Sequence, residues 1–226
     1  FILKNLLKDG TLIHISNLST QGFAEDYAAI IQALIKYYET TFDEEALLIA
    51  NNLTLQMNEQ YYDPREKLFY FTSIHAENLI ARKNDLFDNV IPSSNSMMAE
   101  NLLKLSLHLD NETYKKQALD MVNQVGEMMA RETSYLSKWA SVATLLVKPI
   151  PEIVIFGENY QEVATALNAL HIPRKVVAAS ATESDLPLLQ YKTEIKGKTA
   201  IYVCYNKTCK LPVTDLDEAL TQISSE

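Results

Sequence analysis

The chain contains few of the residues that define the more specialised protein classes. Its 226 residues include only 2 cysteines and 5 glycines. Two cysteines are too few for a disulfide-dense secreted scaffold and fit a reducing compartment, so we expect a cytoplasmic protein. No apolar run approaches the roughly 20 residues that span a bilayer, so we expect no membrane partner. Gly157 follows an apolar run without the further glycines of a dinucleotide loop.

Charge and histidine are also too dispersed to indicate a nucleic-acid surface or a metal site. The 29 acidic and 20 basic residues give a net charge of -9 without clusters, which argues against nucleic acid and anionic membranes as partners. None of the histidines pairs with another at a metal-ligand or acid/base spacing; they are His14, His75, His108 and His171. We therefore expect no metal and no cofactor, although 47% apolar content predicts a substantial core.

The opening segment Phe1–Lys8 is largely apolar and has the periodicity of a helix, but it lacks the residue pattern of a secretory signal peptide. We interpret it as a helix cut in mid-course. This interpretation predicts that the chain is a fragment of a longer protein, and that any pocket within it is incomplete.

Residues 1–149 have the apolar periodicity of paired helices. One stripe runs from Tyr27 to Tyr38 and the next from Ala46 to Met57, and Thr41-Phe-Asp-Glu44 between them has capping-box spacing. A second hairpin follows, with apolar stripes from Met98 to Leu109 and from Tyr114 to Met128, and then a further helix around Trp139. This region is predicted to be helical apart from an extended segment from Thr11 to Ser16, a short aromatic strand and a polar loop.

Residues 150–226 have a different period and predict a small α/β unit. Buried strands are expected at 152–156, 175–179 and 199–205, and helices at 160–170 and 215–223. The first two strands and the helix between them make a β-α-β unit with a right-handed crossover.

Four motifs, in this order, resemble one protein family. They are Phe23-Ala-Glu-Asp-Tyr-Ala28, Thr41-Phe-Asp-Glu44, Asp88-Asn-Val-Ile-Pro-Ser-Ser-Asn-Ser96 and the segment from Tyr202 to Asp215. The chain resembles the C-terminal part of the thioredoxin-domain-containing proteins related to spermatogenesis-associated protein 20. The resemblance implies a mainly α fold: a partial (α/α)6 toroid of helical hairpins, similar to six-hairpin glycosidases and N-acylglucosamine 2-epimerases, followed by the small α/β unit.

The resemblance also implies what the complete protein does. The toroid would form a carbohydrate-type pocket that binds or transforms a sugar-like small molecule, as a glycosidase or sugar epimerase does, and this chain alone would be inactive. Alternatively, the toroid is a non-catalytic interaction platform that positions a thioredoxin-like domain, absent from this chain, on client proteins.

Two carboxylates are the candidate catalytic residues, because glycoside hydrolysis uses one as acid and one as base or nucleophile. Asp26 begins the first long helix, and Asp88 precedes the helix that carries Ser96. The candidate ligand-binding residues around them are Glu25, Tyr27, Tyr70, Ser93 and Asn95. Structural roles compete with this hypothesis, because acidic and hydroxyl residues also cap helix N-termini and aromatic residues also fill cores.

Cys204 and Cys209 are separated by a turn, and three interpretations stay open. They are two partly buried free thiols, a disulfide or redox pair assisted by Lys207 and Lys210, or half of a metal site.

Overall fold

The computed structural model describes residues 1–16, 20–76 and 81–224. Its elements, in chain order, are α1 (Ile2–Asn5), β1 (Leu7–Lys8), β2 (Thr11–Leu12), α2 (Ala24–Thr41), α3 (Glu44–Gln60), β3 (Tyr62–Asp63), β4 (Leu68–Phe69), α4 (Ser94–His108), α5 (Glu112–Arg131), a 3-10 turn (Thr133–Tyr135), α6 (Ser137–Val147), β5 (Glu152–Phe156), α7 (Tyr160–Asn168), β6 (Val176–Ser180), β7 (Ala200–Tyr205), β8 (Thr208–Cys209) and α8 (Leu216–Ser224). The prediction of a mainly α chain is confirmed.

Two helical hairpins, α2 with α3 and α4 with α5, form the first part of the fold, and α2 also packs along α4. In each hairpin an N-cap residue marks the start of the second helix. Asp43 caps α3 and accepts a hydrogen bond from Glu45 N at 3.2 Å, and Asn111 caps α5 and accepts one from Thr113 N at 3.0 Å. The predicted cap at Thr41 is wrong. Thr41 is the last residue of α2, and Phe42 turns the chain with a φ of 61° before Asp43 caps α3.

A four-stranded sheet of order β6-β5-β7-β8 forms the second part. The parallel pairing of β5 with β6 across α7 confirms the predicted β-α-β unit, and β7 joins β5 in antiparallel register. The strand predicted at 152–156 is found with those bounds. The two-residue strand β8 was not predicted; it pairs with β7 and forms the edge of the sheet.

Apolar residues cover both faces of this sheet. Val154, Val176 and Ala178 belong to the same buried cluster as the helical hairpins, whereas Ile153, Val177 and Val203 pack with α7 and α8 on the opposite face. The helices α2 and α4 lie against β6. The sheet is therefore a middle layer between two layers of helices.

Within the described residues, no helix is both long and apolar enough to cross a membrane.

Candidate functional site

The N-terminal ends of α2, α4 and α6 meet at one end of the helical layer. Ala24 N, at the start of α2, donates to the carbonyl of Phe71 at 2.9 Å, which ties α2 to the segment after β4. The segment of residues 81–93 then crosses to the start of α4, and Trp139 of α6 donates to the carbonyl of Leu86 at 2.9 Å. The partial positive charges of three helix N-termini are thereby concentrated around this segment.

Asp88 joins two of these helix N-termini. Its Oδ1 accepts from Ser93 N at 3.0 Å and from Ser96 Oγ at 3.1 Å, and its Oδ2 accepts from Lys138 N at 2.7 Å. Both carboxylate oxygens are therefore engaged by groups at the starts of α4 and α6. This geometry is that of a structural cap shared by two helices.

Asp26 is the third residue of α2, and its carboxylate turns back toward the start of its own helix. Oδ2 accepts from Phe23 N at 2.8 Å, which is one half of a capping box, and lies 2.8 Å from His14 Nδ1. The side chain is about one quarter exposed. Asp26 therefore anchors the segment that contains His14 to the beginning of α2.

Glu25, the neighbour of Asp26, points elsewhere and lines an open cleft of about 430 Å³. Partial burial raises the pKa of the Glu25 carboxyl, the negative charges of Asp26 and Asp85 raise it further, and His14 partly offsets them. Adjacent helical residues diverge by about 100°, which is why only one of the two acidic residues faces the cleft.

The other walls of this cleft come mainly from the segment before α4. Its polar lining consists of Glu25, Lys83, Asn84, Asp85 and Asn89. Its apolar lining consists of Phe71, Phe87, Val90, Ile91 and Pro92. Asp85 also accepts from Ser94 N at 2.9 Å through Oδ2, so it is held at the start of α4.

The remaining predicted ligand-binding residues lie outside the lining of this cleft. Asn95 is fully buried and bonds both backbone groups of Phe69, accepting from N at 2.7 Å and donating to O at 2.8 Å. Ser93 is the N-cap of α4. Tyr27 is fully buried, and its hydroxyl accepts from Leu12 N at 3.1 Å. Tyr70 donates to Asp63 at 2.6 Å beneath the guanidinium of Arg82.

Sequence reasoning missed Asp85. The signal available for it was the pair of acidic residues, Asp85 and Asp88, that precedes Pro92, of which only the second was taken as a candidate. The structure brings Glu25 and Asp85 to one cleft. The catalytic pairing of Asp26 with Asp88 stays a prediction, although their carboxylates are occupied by separate helix starts.

Cys204 and Cys209 lie in the other part of the fold, where they form a disulfide across β7 and β8. The interpretation as two free thiols is therefore wrong. Among the residues that the structure describes, no group of three or more metal-ligating side chains comes together.

No protein-family model matches the chain. It is 29% identical to spermatogenesis-associated protein 20 of Homo sapiens and 25% identical to that of Mus musculus, and each match covers 91% of this chain. The chain is homologous to spermatogenesis-associated protein 20. It spans 28% of the length of these relatives, and the same share of an uncharacterized protein of Caenorhabditis elegans that is 25% identical.

Proposed function

We propose that the cleft between the start of α2 and residues 83–92 binds a carbohydrate-type ligand, with Glu25 and Asp85 as its carboxylates. The observation that carries this proposal is that these two side chains line the same cleft together with two phenylalanines. Carboxylates that accept hydrogen bonds from hydroxyl groups, next to apolar faces that pack on a sugar ring, are a suitable lining for a polyhydroxylated molecule.

The two carboxylates have different environments, which suits different roles. Burial and the adjacent carboxylates raise the pKa of Glu25, so its protonated form is favoured more than that of an ordinary glutamate. Asp85 is held by the backbone N–H of Ser94 through one oxygen. In a catalytic version of this proposal Glu25 is the general acid and Asp85 the base or nucleophile, as in glycoside hydrolysis.

The aromatic wall of the cleft is fixed by stacking. The rings of Phe23 and Phe71 are 5.0 Å apart and nearly parallel, at 14°. Because Phe23 is also the N-cap of α2, this stack joins the aromatic wall to the helix that carries Glu25. Asp26 and Asp88 then act as positioning residues, since each holds a helix start that forms the cleft.

Calorimetric titration with a panel of mono- and disaccharides tests the proposal, with the full natural chain that contains these 226 residues. We expect Glu25→Gln and Asp85→Asn each to weaken sugar binding about tenfold, the effect of losing one charged hydrogen-bond acceptor. The matched control is Glu183→Gln, which removes an exposed carboxylate from the segment after β6 and should leave binding unchanged. Absence of binding to every sugar, or binding that is indifferent to Glu25→Gln, contradicts the proposal.

A second candidate is an interaction platform that holds a thioredoxin-like domain near client proteins. The exposed apolar rim of the cleft favours it, because Val90 is 96%, Ile91 54% and Phe87 49% exposed. The double variant Val90→Asp, Ile91→Asp should then weaken binding of a carboxymethylated, permanently unfolded polypeptide in fluorescence anisotropy. Unchanged binding of that polypeptide argues against the platform.

A further inference from the structure

The disulfide of the chain belongs to a row of side chains that crosses three strands. Glu152 of β5 is the register partner of Cys204 in β7, and Cys204 is the register partner of Cys209 in β8. Direct partners in antiparallel strands point to the same face of the sheet, with Cβ atoms about 4.5–5.5 Å apart. The side chain of Glu152 therefore leaves the sheet on the same face as that of Cys204 and beside it, with Cys209 on the far side.

These three residues also line one cleft, of about 480 Å³, between the edge of the sheet and the turn that joins α4 to α5. The two sulfurs differ in access: Cys204 is only 2% exposed, whereas Cys209 is exposed on the edge strand. An incoming thiol can thus reach Cys209 from solvent, which leaves Cys204 as the buried leaving group.

Glu152 is a buried carboxyl that the helical layer and the hairpin turn enclose. It is 3% exposed, and the backbone N–H groups of Asn206 and Lys207 donate to it. Burial raises its pKa, and these two hydrogen bonds together with the charges of Lys115 and Lys207 only partly offset that rise. A carboxyl whose pKa is raised by burial keeps its proton to a higher pH than an ordinary glutamate and can release it to an adjacent base.

The other charged groups that face the cleft are Asp110, Glu112 and Lys192. Asp110 and Glu112 both pair with Lys207 of the hairpin turn, and these exposed pairs draw the ammonium group toward the turn between α4 and α5. Within the described residues of this cleft, Glu152 is consequently the one carboxyl that is both buried and in register with Cys204.

We propose that Cys204 and Cys209 are a redox-active disulfide that exchanges with a dithiol reductant, and that Glu152 supplies the proton to the sulfur of Cys204. A thiolate of the dithiol forms a bond to Cys209 Sγ, the disulfide bond breaks, and its electron pair goes to Cys204 Sγ, which takes the proton of Glu152. The second thiol of the reductant loses its proton to solvent and attacks the reductant sulfur that is bonded to Cys209 Sγ, so Cys209 leaves as a thiolate and takes a proton from solvent. The protein disulfide is reduced to two thiols, and the dithiol is oxidised to a disulfide.

This activity is separate from the sugar cleft, because the two sites lie at opposite ends of α4. The sugar cleft adjoins the start of α4 at Ser94, whereas the disulfide cleft adjoins its other end near Ser106 and Asp110. The 15 residues of α4 correspond to about 22 Å of helix. Failure of sugar binding therefore leaves the redox proposal unaffected.

The test measures, over a range of pH, the rate at which dithiothreitol reduces the Cys204–Cys209 disulfide in the full natural chain. The reaction is quenched by alkylation, and the alkylated cysteines are detected by mass spectrometry. Rates are divided by the measured thiolate fraction of the reductant. In the wild-type chain this corrected rate constant should fall as pH rises through the raised pKa of Glu152, because the proton donor is lost. In Glu152→Gln the corrected profile should be flat.

At the acidic end of the range we expect Glu152→Gln to be reduced about tenfold more slowly, less than general acid–base assistance usually gives, because a thiolate is already a fair leaving group. The matched control Glu112→Gln removes an exposed carboxyl of the same cleft and should keep both the rate and the profile. Glutathione, a monothiol, should be found by peptide mapping on Cys209 rather than on Cys204.

Three outcomes overturn the proposal: two free thiols after purification in air, a flat corrected profile in the wild-type chain, or glutathione attached to Cys204. If Glu152→Gln does not fold, the wild-type profile and the site of glutathione attachment decide the question by themselves.

Discussion

Removal of the Asp88 carboxylate should destabilise two helix starts at once. In Asp88→Ala, Ser93 N and Lys138 N both lose the acceptors that now lie at 3.0 and 2.7 Å. The loss of one capping side chain costs about 1 kcal/mol and up to about 2 kcal/mol. Asp88 is only partly exposed, so water replaces these bonds incompletely, and we expect a loss of about 3 kcal/mol for the two caps together.

The assay is thermal and urea unfolding of Asp88→Ala beside Asp43→Ala. Asp43 accepts a single backbone hydrogen bond, from Glu45 N, so its loss should cost about 1 kcal/mol. For a chain of this size, 3 kcal/mol corresponds to a decrease in Tm of roughly 6–12 °C. A decrease no larger than that of Asp43→Ala would refute the shared cap. If that result came with complete loss of sugar binding, the earlier hypothesis of a catalytic Asp88 would be supported instead.

Three further predictions concern buried positions. Asn95→Ala leaves both backbone groups of Phe69 unpaired in the core and should lower the unfolding free energy by about 2–4 kcal/mol, measured in urea. Burial alone would raise the pKa of the Glu39 carboxyl, but the interactions with His108, Lys104 and Lys36 outweigh burial and lower it. The contribution of the Glu39 carboxylate to stability is therefore present above the ordinary pKa of 4.5 and is lost as pH falls through the lowered pKa of the folded state. The stability deficit of Glu39→Gln should accordingly be larger at about pH 7 than at about pH 3, and an equal deficit would contradict this sign. Gly157 has a φ of 135°, and an added Cβ would lie 2.7 Å from the Cα of Thr199. Gly157→Ala should therefore lower the free energy of unfolding by about 2 kcal/mol or more. The control Gly126→Ala, whose added Cβ has open space around it, should not destabilise the protein.

Regular elements were predictable because their periodicity is local. The strand at 152–156 is one glutamate followed by four apolar residues, between a proline and a glycine, and both helical hairpins have clear stripes and polar turns. The cap of α3 was misplaced by two residues because Thr41 and Asp43 are both good N-cap residues, and only the left-handed turn at Phe42 selects the second. Whether the helices continue into a complete toroid stays a prediction.

The hairpin that closes the disulfide was harder to predict for a physical reason. Asn206 and Lys207 both have positive φ, at 49° and 67°, which is the backbone of a type I′ turn. The usual signal for this turn type is Asn-Gly, and here lysine stands at the second position, so the sequence indicated a turn but not its type. Without the turn type, the register that places Cys204 opposite Cys209 was not derivable from their spacing alone.

The candidate cleft was located only in part, because its geometry depends on contacts that are distant in sequence. Asp88 and Lys138 are 50 residues apart, and that contact takes up a carboxylate which, by sequence, was equally free to face a ligand. Glu25 and Asp26 are adjacent, and the choice between them follows from the bond that Asp26 makes to Phe23 N. Sequence patterns identify polar residues near helix starts but do not show which of them are already bonded.

The position of the sheet as a middle layer has a consequence for any attempt to divide the chain. Cleavage between the helical hairpins and β5 would expose Val154, Val176 and Ala178 to water on one fragment. On the other fragment it would expose the faces of α2 and α4 that pack against the sheet. We therefore expect a protease that cuts near Pro149 to produce fragments that aggregate rather than two folded pieces. The intact chain should melt in a single cooperative transition that involves both of its parts.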